Sequence, residues 1–212
     1  MQDSQSSEWD AFVGSHPSAT FYHDSRWKQV IQRSFGHRTF YLKVRQNNRI
    51  TGILPMVHLR SWLFGSLFCS MPFLNFGGIC AESVEAEVAL VEAAKGVLEK
   101  YNGDYLELRH LTKTSQDLPA KTHKVSMTLT LDSDPECLWS SFKSKHRTNI
   151  RRAEKHGLVI RSGGMDLLPD FYRIICIGWH DLGTPIYPYR FFKNIVEEFD
   201  NAVEIFVVYY QG

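Results

Sequence analysis

Two β-prone runs meet at a pair of asparagines, and few features of the chain restrict its fold more. Residues 38–46 read RTFYLKVRQ, residues 49–60 read RITGILPMVHLR, and Asn47-Asn48 stands between them. Asparagine tolerates the positive φ that a tight two-residue hairpin turn requires, so the pattern predicts an antiparallel β-hairpin. Just upstream, residues 24–35, DSRWKQVIQRSF, repeat apolar Trp27, Val30, Ile31 and Phe35 at helical spacing, with Asp24 as a cap and Gly36 as a stop. A helix followed by a hairpin is the first unit of the chain.

Beyond the hairpin the pattern predicts one or two buried strands in residues 61–81, a long helix over 82–100 and a strand over 105–111, YLELRHL. A further strand, HKVSMTLTL, is expected over 123–131. Asp134-Pro135 then opens two helices, or one bent one, ending where Gly157 can take a left-handed conformation. The strand LVIRS, a helix over 167–179, the loop LGTPIYPY, a helix over 191–199 and the strand VEIFVVYY complete the chain. The order of helix, then strands, is therefore met twice, with the second copy stopping after one strand.

Residues 61–81, SWLFGSLFCSMPFLNFGGICA, form an uncharged run of 21 residues, long enough to span a bilayer. Its content opposes that role: Pro72, Asn75, three glycines and three serines suit buried strand, turn and loop better than a spanning helix. A membrane-surface contact stays open. The acidic start, MQDSQSSEWD, lacks the basic region and apolar run of a signal peptide, which points to a cytoplasmic protein. Cys69, Cys80, Cys137 and Cys176 are widely spaced, form no Cys-x-x-Cys and have no His at zinc-ligand spacing, so no metal is expected.

Lys and Arg number 24 against 23 acids, which excludes a globally basic, DNA-binding surface. Any anion site must be local. Residues 142–158, FKSKHRTNIRRAEKHGL, supply one: between Lys143 and Lys155 six basic residues stand against a single acid. On a helical wheel Phe142, His146, Ala153 and Gly157 cluster as a core face, while Arg147, Arg151 and Lys155 form a stripe at i, i+4, i+8. A solvated surface helix is the plain alternative. The scarcity of acids and the predominance of Arg, suited to bidentate phosphate or carboxylate contacts, favour anion binding.

The pattern Phe-x-x-Lys-x-Arg-x-x-Ile-Arg-Arg-Ala-x-x-x-Gly-Leu over 142–158 resembles the signature of the Fem-type aminoacyltransferase-like family, within the wider GNAT fold. MPFLNFGGICA, residues 71–81, is similar to that family's Pro-Phe-x-Asn-Tyr-Gly-Gly turn, and LGTPIYPYRFF, residues 182–192, to its Leu-Gly-Thr-Pro loop. Within the family the chain is similar to the Fem-related proteins of exosortase and PEP-CTERM systems and exopolysaccharide clusters. The resemblance implies an α+β, GNAT-like fold: a mixed, mainly antiparallel sheet flanked by helices. One complete lobe over 1–131 and a basic helical segment with the start of a second lobe over 132–212 follow from it. It also implies an acyl- or aminoacyl-transferase acting on an amine or hydroxyl of an anionic cell-envelope or exopolysaccharide precursor. Acyl-CoA and aminoacyl-tRNA are both open as donors, and tRNA as a partner. The Arg/Gln-x-x-Gly-x-Gly/Ala loop that cradles a cofactor pyrophosphate in acetyl-CoA users has no counterpart here.

Candidate site residues follow. Lys145, Arg147 and Arg151 are expected to hold the anionic part of a substrate, and Asn75, Gly77 and Gly78 mark the second motif. Glu107 and Arg109 alternate with Leu106 and Leu108 and so share a strand face. Glu107 there is either a general base or half of an ordinary surface ion pair. Thr184, Pro185 and Tyr187 are expected to line a substrate channel, with a rigid connector as the alternative. His180-Asp181 is an outside candidate. No nucleophile motif occurs, which favours direct transfer over a covalent intermediate. The competing class is a non-catalytic RNA- or membrane-surface-binding module built on the basic helix with Trp139 and Phe142. Finally, Gln211-Gly212 reads as the first half of a hairpin turn, so residues 1–212 are expected to be a fragment of a two-lobed enzyme with residues 203–210 as an open sheet edge.

Overall fold

A computed structural model describes residues 3–63, 65–112, 114–121 and 125–210. In chain order the helices are α1 (Asp3–Ser15), α2 (Trp27–Phe35), α3 (Val84–Lys100), α4 (Pro135–Ser141), α5 (Ser144–Glu154), α6 (Leu168–Asp181) and α7 (Tyr189–Phe199). The strands are β1 (Arg38–Gln46), β2 (Arg49–Ser61), β3 (Gly65–Cys69), β4 (Cys80–Ala81), β5 (Tyr105–Glu107), β6 (Leu158–Gly163) and β7 (Ile205–Tyr210). The fold is α+β, with a mainly antiparallel sheet flanked by helices. Two units form: residues 1–118 with Tyr187–Phe199, and Pro119–Ile186 with residues 200–212.

The first unit is built on the β1–β2 hairpin. Asn47 and Asn48 take φ of 50° and 63°, the positive values that a primed turn requires. Strand order is β1-β2-β3-β5, with β4 added to β2; every pairing is antiparallel except β3 with β5. Strand β2 is buried on both faces, so its apolar residues run continuously through Met56 and Val57 rather than alternating. Ile50 and Ile53 pack with Trp9 and Phe12 of α1, while Leu54 and Met56 pack with Leu90 and Ala94 of α3. Helix α3 starts at Ser83, whose hydroxyl accepts from the Ala86 N–H, as expected of an N-cap. Helix α2 packs on α7, where Phe199 lies 4.7 Å from the rings of both Phe21 and Trp27.

The second unit has a two-stranded sheet, β6 against β7, with α6 packed on β7. Strand β7 alternates buried Ile205 and Val207 with exposed Phe206 and Val208, while every residue of β6 from Leu158 to Ser162 is exposed. Leu167 and Leu168, at the start of α6, are its most deeply buried side chains.

Several local expectations need correction. Helix α1 has no predicted counterpart, because its amphipathic signal rests on little more than Trp9 and Phe12. What fixes it is tertiary: Trp9 is fully buried and its Nε1–H donates to the His23 carbonyl at 2.7 Å. The cap of α2 is Arg26 rather than Asp24, whose carboxylate instead accepts from the Arg26 N–H at 2.9 Å. The strand expected over 105–111 stops at Glu107, since Arg109 N–H turns to the Ser70 hydroxyl. The strand expected over 123–131 begins outside the described residues, and residues 125–131 join no ladder. Val125, Met127, Leu129 and Leu131 are all exposed, so a period-two pattern exists there without a sheet to pair with. The core face expected on the basic helix is also absent: α5 has no buried residue. Gln211-Gly212 lies outside the described residues.

Candidate functional site

In the first unit, β3 and β5 run parallel as far as Cys69 and Glu107 and are then joined by different bonds. Ser70 N–H donates to the Glu107 carbonyl at 2.9 Å, and Arg109 N–H donates to Ser70 Oγ at 2.7 Å. This anchors Arg109 just past the strand end. Its guanidinium donates through Nε to Glu107 Oε1 at 2.8 Å and through Nη1 to the Leu74 carbonyl at 2.9 Å. Two acceptors on different segments therefore fix the plane of a half-buried cation. The expectation that Glu107 and Arg109 share a face holds, and their side chains are about one-third exposed (37% and 34%), accessible to solute yet held. The Cys69 thiol donates to Glu107 Oε1 at 3.7 Å; burial pushes its pKa up to about 12, so it is a protonated thiol rather than a nucleophile.

The Gly77-Gly78 turn has a close-packing reason for both glycines. Gly77 has φ of +142°, and a Cβ there would stand 2.4 Å from Met71 Cγ; one on Gly78 would stand 2.5 Å from the His110 ring. Two histidines staple the turn. His110 Nε2 accepts from the Ile79 N–H at 3.0 Å, and His23 Nε2 bonds the Gly78 carbonyl at 2.9 Å. His23 Nδ1 accepts from the Thr20 N–H at 3.1 Å, which assigns the donor proton to Nε2. Burial lowers the pKa of both rings, so both are neutral. Asn75, by contrast, is exposed and makes no hydrogen bond among the described residues.

An aromatic wall adjoins this turn in the same unit. Phe73, held at φ of 73°, stacks on Phe35 at 4.1 Å, and Tyr187 meets Phe73 and Phe191 edge-on at 5.4 and 5.3 Å. Burial raises the Tyr187 pKa, with the Arg109 charge acting against it. Thr184 and Pro185 behave differently. They are exposed residues of the second unit, following Gly183, whose φ of 64° ends α6, with Thr184 N–H bonded to the Trp179 carbonyl at 2.9 Å. The three loop residues are thus divided between the two units.

In the second unit, α5 carries Lys145 and Arg151 exposed and Arg147 half-exposed, and none of the three has an acidic partner within salt-bridge distance among the described residues. Arg151 lies over the Trp139 ring at 5.4 Å, and Trp139 meets Phe142 edge-on at 6.5 Å. On the neighbouring face Phe142, His146, Asn149 and Ile150 line a concavity of about 330 Å³. His180 and Asp181 are highly exposed, 3.5 Å apart, and organise nothing.

The residues missed in the sequence are His23, His110, Phe73 and Phe191. No spacing links them, because His23 meets the glycine turn across 55 residues of chain. The positive φ of Phe73 likewise leaves no mark on composition.

Comparison with known proteins gives these positions a context. Residues 110–211 match the FemAB family. The crystal structure of FemX overlays with a TM-score of 0.67 at 18% identity, covering 96% of this chain and 56% of that one. This chain therefore spans little more than half the length of FemX, and the likeness is one of fold. A ribosomal-protein-alanine N-acetyltransferase from Brucella melitensis biovar Abortus 2308 overlays at a TM-score of 0.40, with 14% identity over 60% of this chain and 94% of that one. A GNAT family acetyltransferase from Staphylococcus aureus subsp. aureus USA300_TCH1516 does so at 0.39, with 11% identity over 61% and 95%. Among curated proteins no sequence matches. Residues 110–211 thus resemble the FemAB family, and the chain shares its fold with FemX.

Proposed function

We propose that this protein is an acyl- or aminoacyl-transferase that moves its group directly to an amine or hydroxyl of an anionic cell-envelope or exopolysaccharide precursor, in the cytoplasm at the membrane's inner face. The observation that carries the reading is the arginine stripe of α5: Arg147 and Arg151 have no acidic partner among the described residues and lie inside the segment that matches the FemAB family. Uncompensated guanidinium groups at i, i+4 suit a phosphate-bearing acceptor, because each can make charge-assisted bonds to it. The donor, acyl-CoA or charged tRNA, follows from the family resemblance and not from a pocket.

Direct transfer needs orientation of two reactants, a base for the acceptor proton and donors for a developing oxyanion. Arg109 has the fixed geometry of an oxyanion or substrate-carboxylate partner, and Glu107, 2.8 Å away, is the candidate base. Neither deeply buried thiol is suited to a covalent intermediate: Cys69 and Cys80 both have pKa values raised to about 12 by burial.

The test is mass spectrometry of nucleotide-linked and lipid-linked envelope precursors after incubation with the protein, acyl-CoA and charged tRNA. The expected result is a donor-dependent mass gain of one acyl or aminoacyl group, or, short of turnover, precursor binding that Arg147→Gln with Arg151→Gln weakens about tenfold or more. No mass gain and no precursor binding would contradict the reading. A second reading, a non-catalytic RNA- or membrane-surface-binding module, is favoured by the Arg151–Trp139 stack and the absence of any buried residue in α5. It predicts affinity falling steeply with salt and no turnover with either donor.

A further inference from the structure

The far end of the first unit's sheet joins two features that its fold does not use. Strand β2 ends at Ser61, and the turn to β3 presents Trp62 at 99% and Leu63 at 69% exposure. Leaving a whole indole in water is unfavourable, and the described residues of this unit cover little of either large apolar side chain. Arg60, two residues before Trp62, lines a cavity of about 390 Å³ together with Gly36, His37, Arg38, His58 and Tyr101.

The register explains how these cations converge. Arg38 pairs directly with His58, and Arg60, two residues along β2, pairs with Ser66, so all lie on one sheet face. The face is open because α3, which covers it elsewhere, ends at Lys100. Aromatic groups hold this face: Arg38 lies over Tyr101 at 5.1 Å, Lys100 Nζ lies over the same ring at 5.9 Å, and the His58 ring stacks on Phe68 at 4.3 Å. His58 Nε2 also bonds Ser66 Oγ at 2.8 Å. No carboxylate lines the cavity, and neither Arg38 nor Arg60 has an ion pair among the described residues. Asp104, the acid bonded to this hairpin, accepts from the Ser66 N–H at 2.7 Å. Burial lowers the His37 and His58 pKa values, and the further charges acting on them are cationic: His58 on His37, Arg60 and Arg38 on His58.

We propose that this hairpin tip and the pocket that Arg60 lines form one docking surface for an anionic lipid bilayer: Trp62 and Leu63 enter the interface while Arg38 and Arg60 hold the phosphate of a lipid headgroup. Charge and polarity are complementary on both counts. Tryptophan is favoured at the headgroup boundary, where its ring meets hydrocarbon and its N–H meets water. Clustered Arg and Lys are drawn to anionic leaflets. Arg60 in the last residues of β2 and Trp62 in the turn that follows set a cation beside an exposed indole, the pairing that an anionic headgroup boundary favours. A soluble phosphate ligand would explain the pocket but leave the exposed indole without a purpose. The surface belongs to the first unit and is separate from α5, so the inference stands whether or not the transferase reading does.

The test is flotation of the whole protein with vesicles of pure phosphatidylcholine and with vesicles containing half phosphatidylglycerol. We expect partition at least about tenfold stronger into the anionic vesicles, and about a tenfold loss in each of two double variants, Trp62→Ser with Leu63→Ser and Arg38→Gln with Arg60→Gln. Arg33→Gln with Lys95→Gln, which removes the same charge elsewhere on this unit, should leave partition unchanged. If the Arg38 variant melts early, Arg60→Gln alone, at an exposed and unpaired position, serves instead. No binding to anionic vesicles, or binding that the tip and pocket variants leave intact, would overturn the proposal. Saturation of the pocket by inorganic phosphate, read from the His37 and His58 ring protons, without vesicle binding would mark a soluble-phosphate site and overturn it too. Loss of RNA binding in the Arg38/Arg60 variant without vesicle binding would do the same.

Discussion

The β1–β2 hairpin of the first unit and the β6–β7 ribbon of the second are both antiparallel and both rich in β-prone residues, yet they meet opposite fates. Leu54 of β2 is fully buried between sheet and α3, whereas Val159 and Ile160 of β6 are 58% and 68% exposed. Local propensity sets the ladder; neighbouring layers decide whether its faces become core. The cations divide in the same way. Arg109 of the first unit is held by Glu107 and Leu74, while Arg147 and Arg151 of the second have no acidic partner among the described residues. A fixed cation is ready for chemistry at one point, and unpaired ones suit a ligand that arrives with its own charge.

Truncation should separate the two sheets most sharply. Leu54→Ala is expected to cost about 3–4 kcal/mol, from lost burial and the cavity left between β2 and α3, while Val159→Ala should stay within about 0.5 kcal/mol. Urea unfolding of both variants checks the pair. Similar losses would mean that β6 is covered in solution.

Glycine substitutions give the next contrast. Gly77→Ala combines a positive φ with a Cβ 2.4 Å from Met71, and should cost about 2–3 kcal/mol. Gly157→Ala meets nothing within 4 Å at φ of +69°, so only the left-handed conformation opposes it, at about 1 kcal/mol. Thermal melts of the two variants would show whether the glycine turn of the second motif is set by packing.

A pH dependence should be seated in the first unit. His23, His37, His58 and His110 all have pKa values lowered from 6.5, with burial the largest cause for each. Each folded ring binds its proton less readily than the unfolded one. Their contribution is therefore complete above pH 6.5 and is lost as pH falls from there through the folded values. The urea midpoint should fall on acidification below 6.5, and His23→Gln, which removes one of the buried rings, should reduce that fall. An unchanged slope in this variant would show that the staple on Gly78 does not depend on a neutral ring.

Much of this contrast was legible in the chain, and what escaped shares one cause. Asn47-Asn48, the stripe of α2 and the Arg spacing of α5 are local signals, and each gave its element, although α2 starts past the Asp24 cap and α5 buries no core face. Helix α1, the parallel pairing of β3 with β5, and the His23–Gly78 bond depend on groups far apart in sequence, and no window of residues holds them. Residues 125–131 show the reverse: their apolar alternation is a valid strand signal, but a strand needs a partner, and the described residues supply none. The site divides likewise. Alternation put Arg109 beside Glu107, but the strand ends at Glu107, and the partners that orient Arg109, Ser70 and the Leu74 carbonyl, lie on a loop whose path follows from the fold.

The claim that most needs a direct test is that the unpaired arginines of α5 hold an anionic acceptor. Calorimetric titration of a nucleotide-linked envelope precursor into the wild-type protein and into the Arg147→Gln, Arg151→Gln variant measures it, with urea midpoints recorded for both. The account predicts binding weakened about tenfold or more with the midpoint little changed, because neither side chain is buried and Arg151 is exposed where it meets Trp139. Equal affinity in the folded variant would contradict it and leave the stripe as solvated surface.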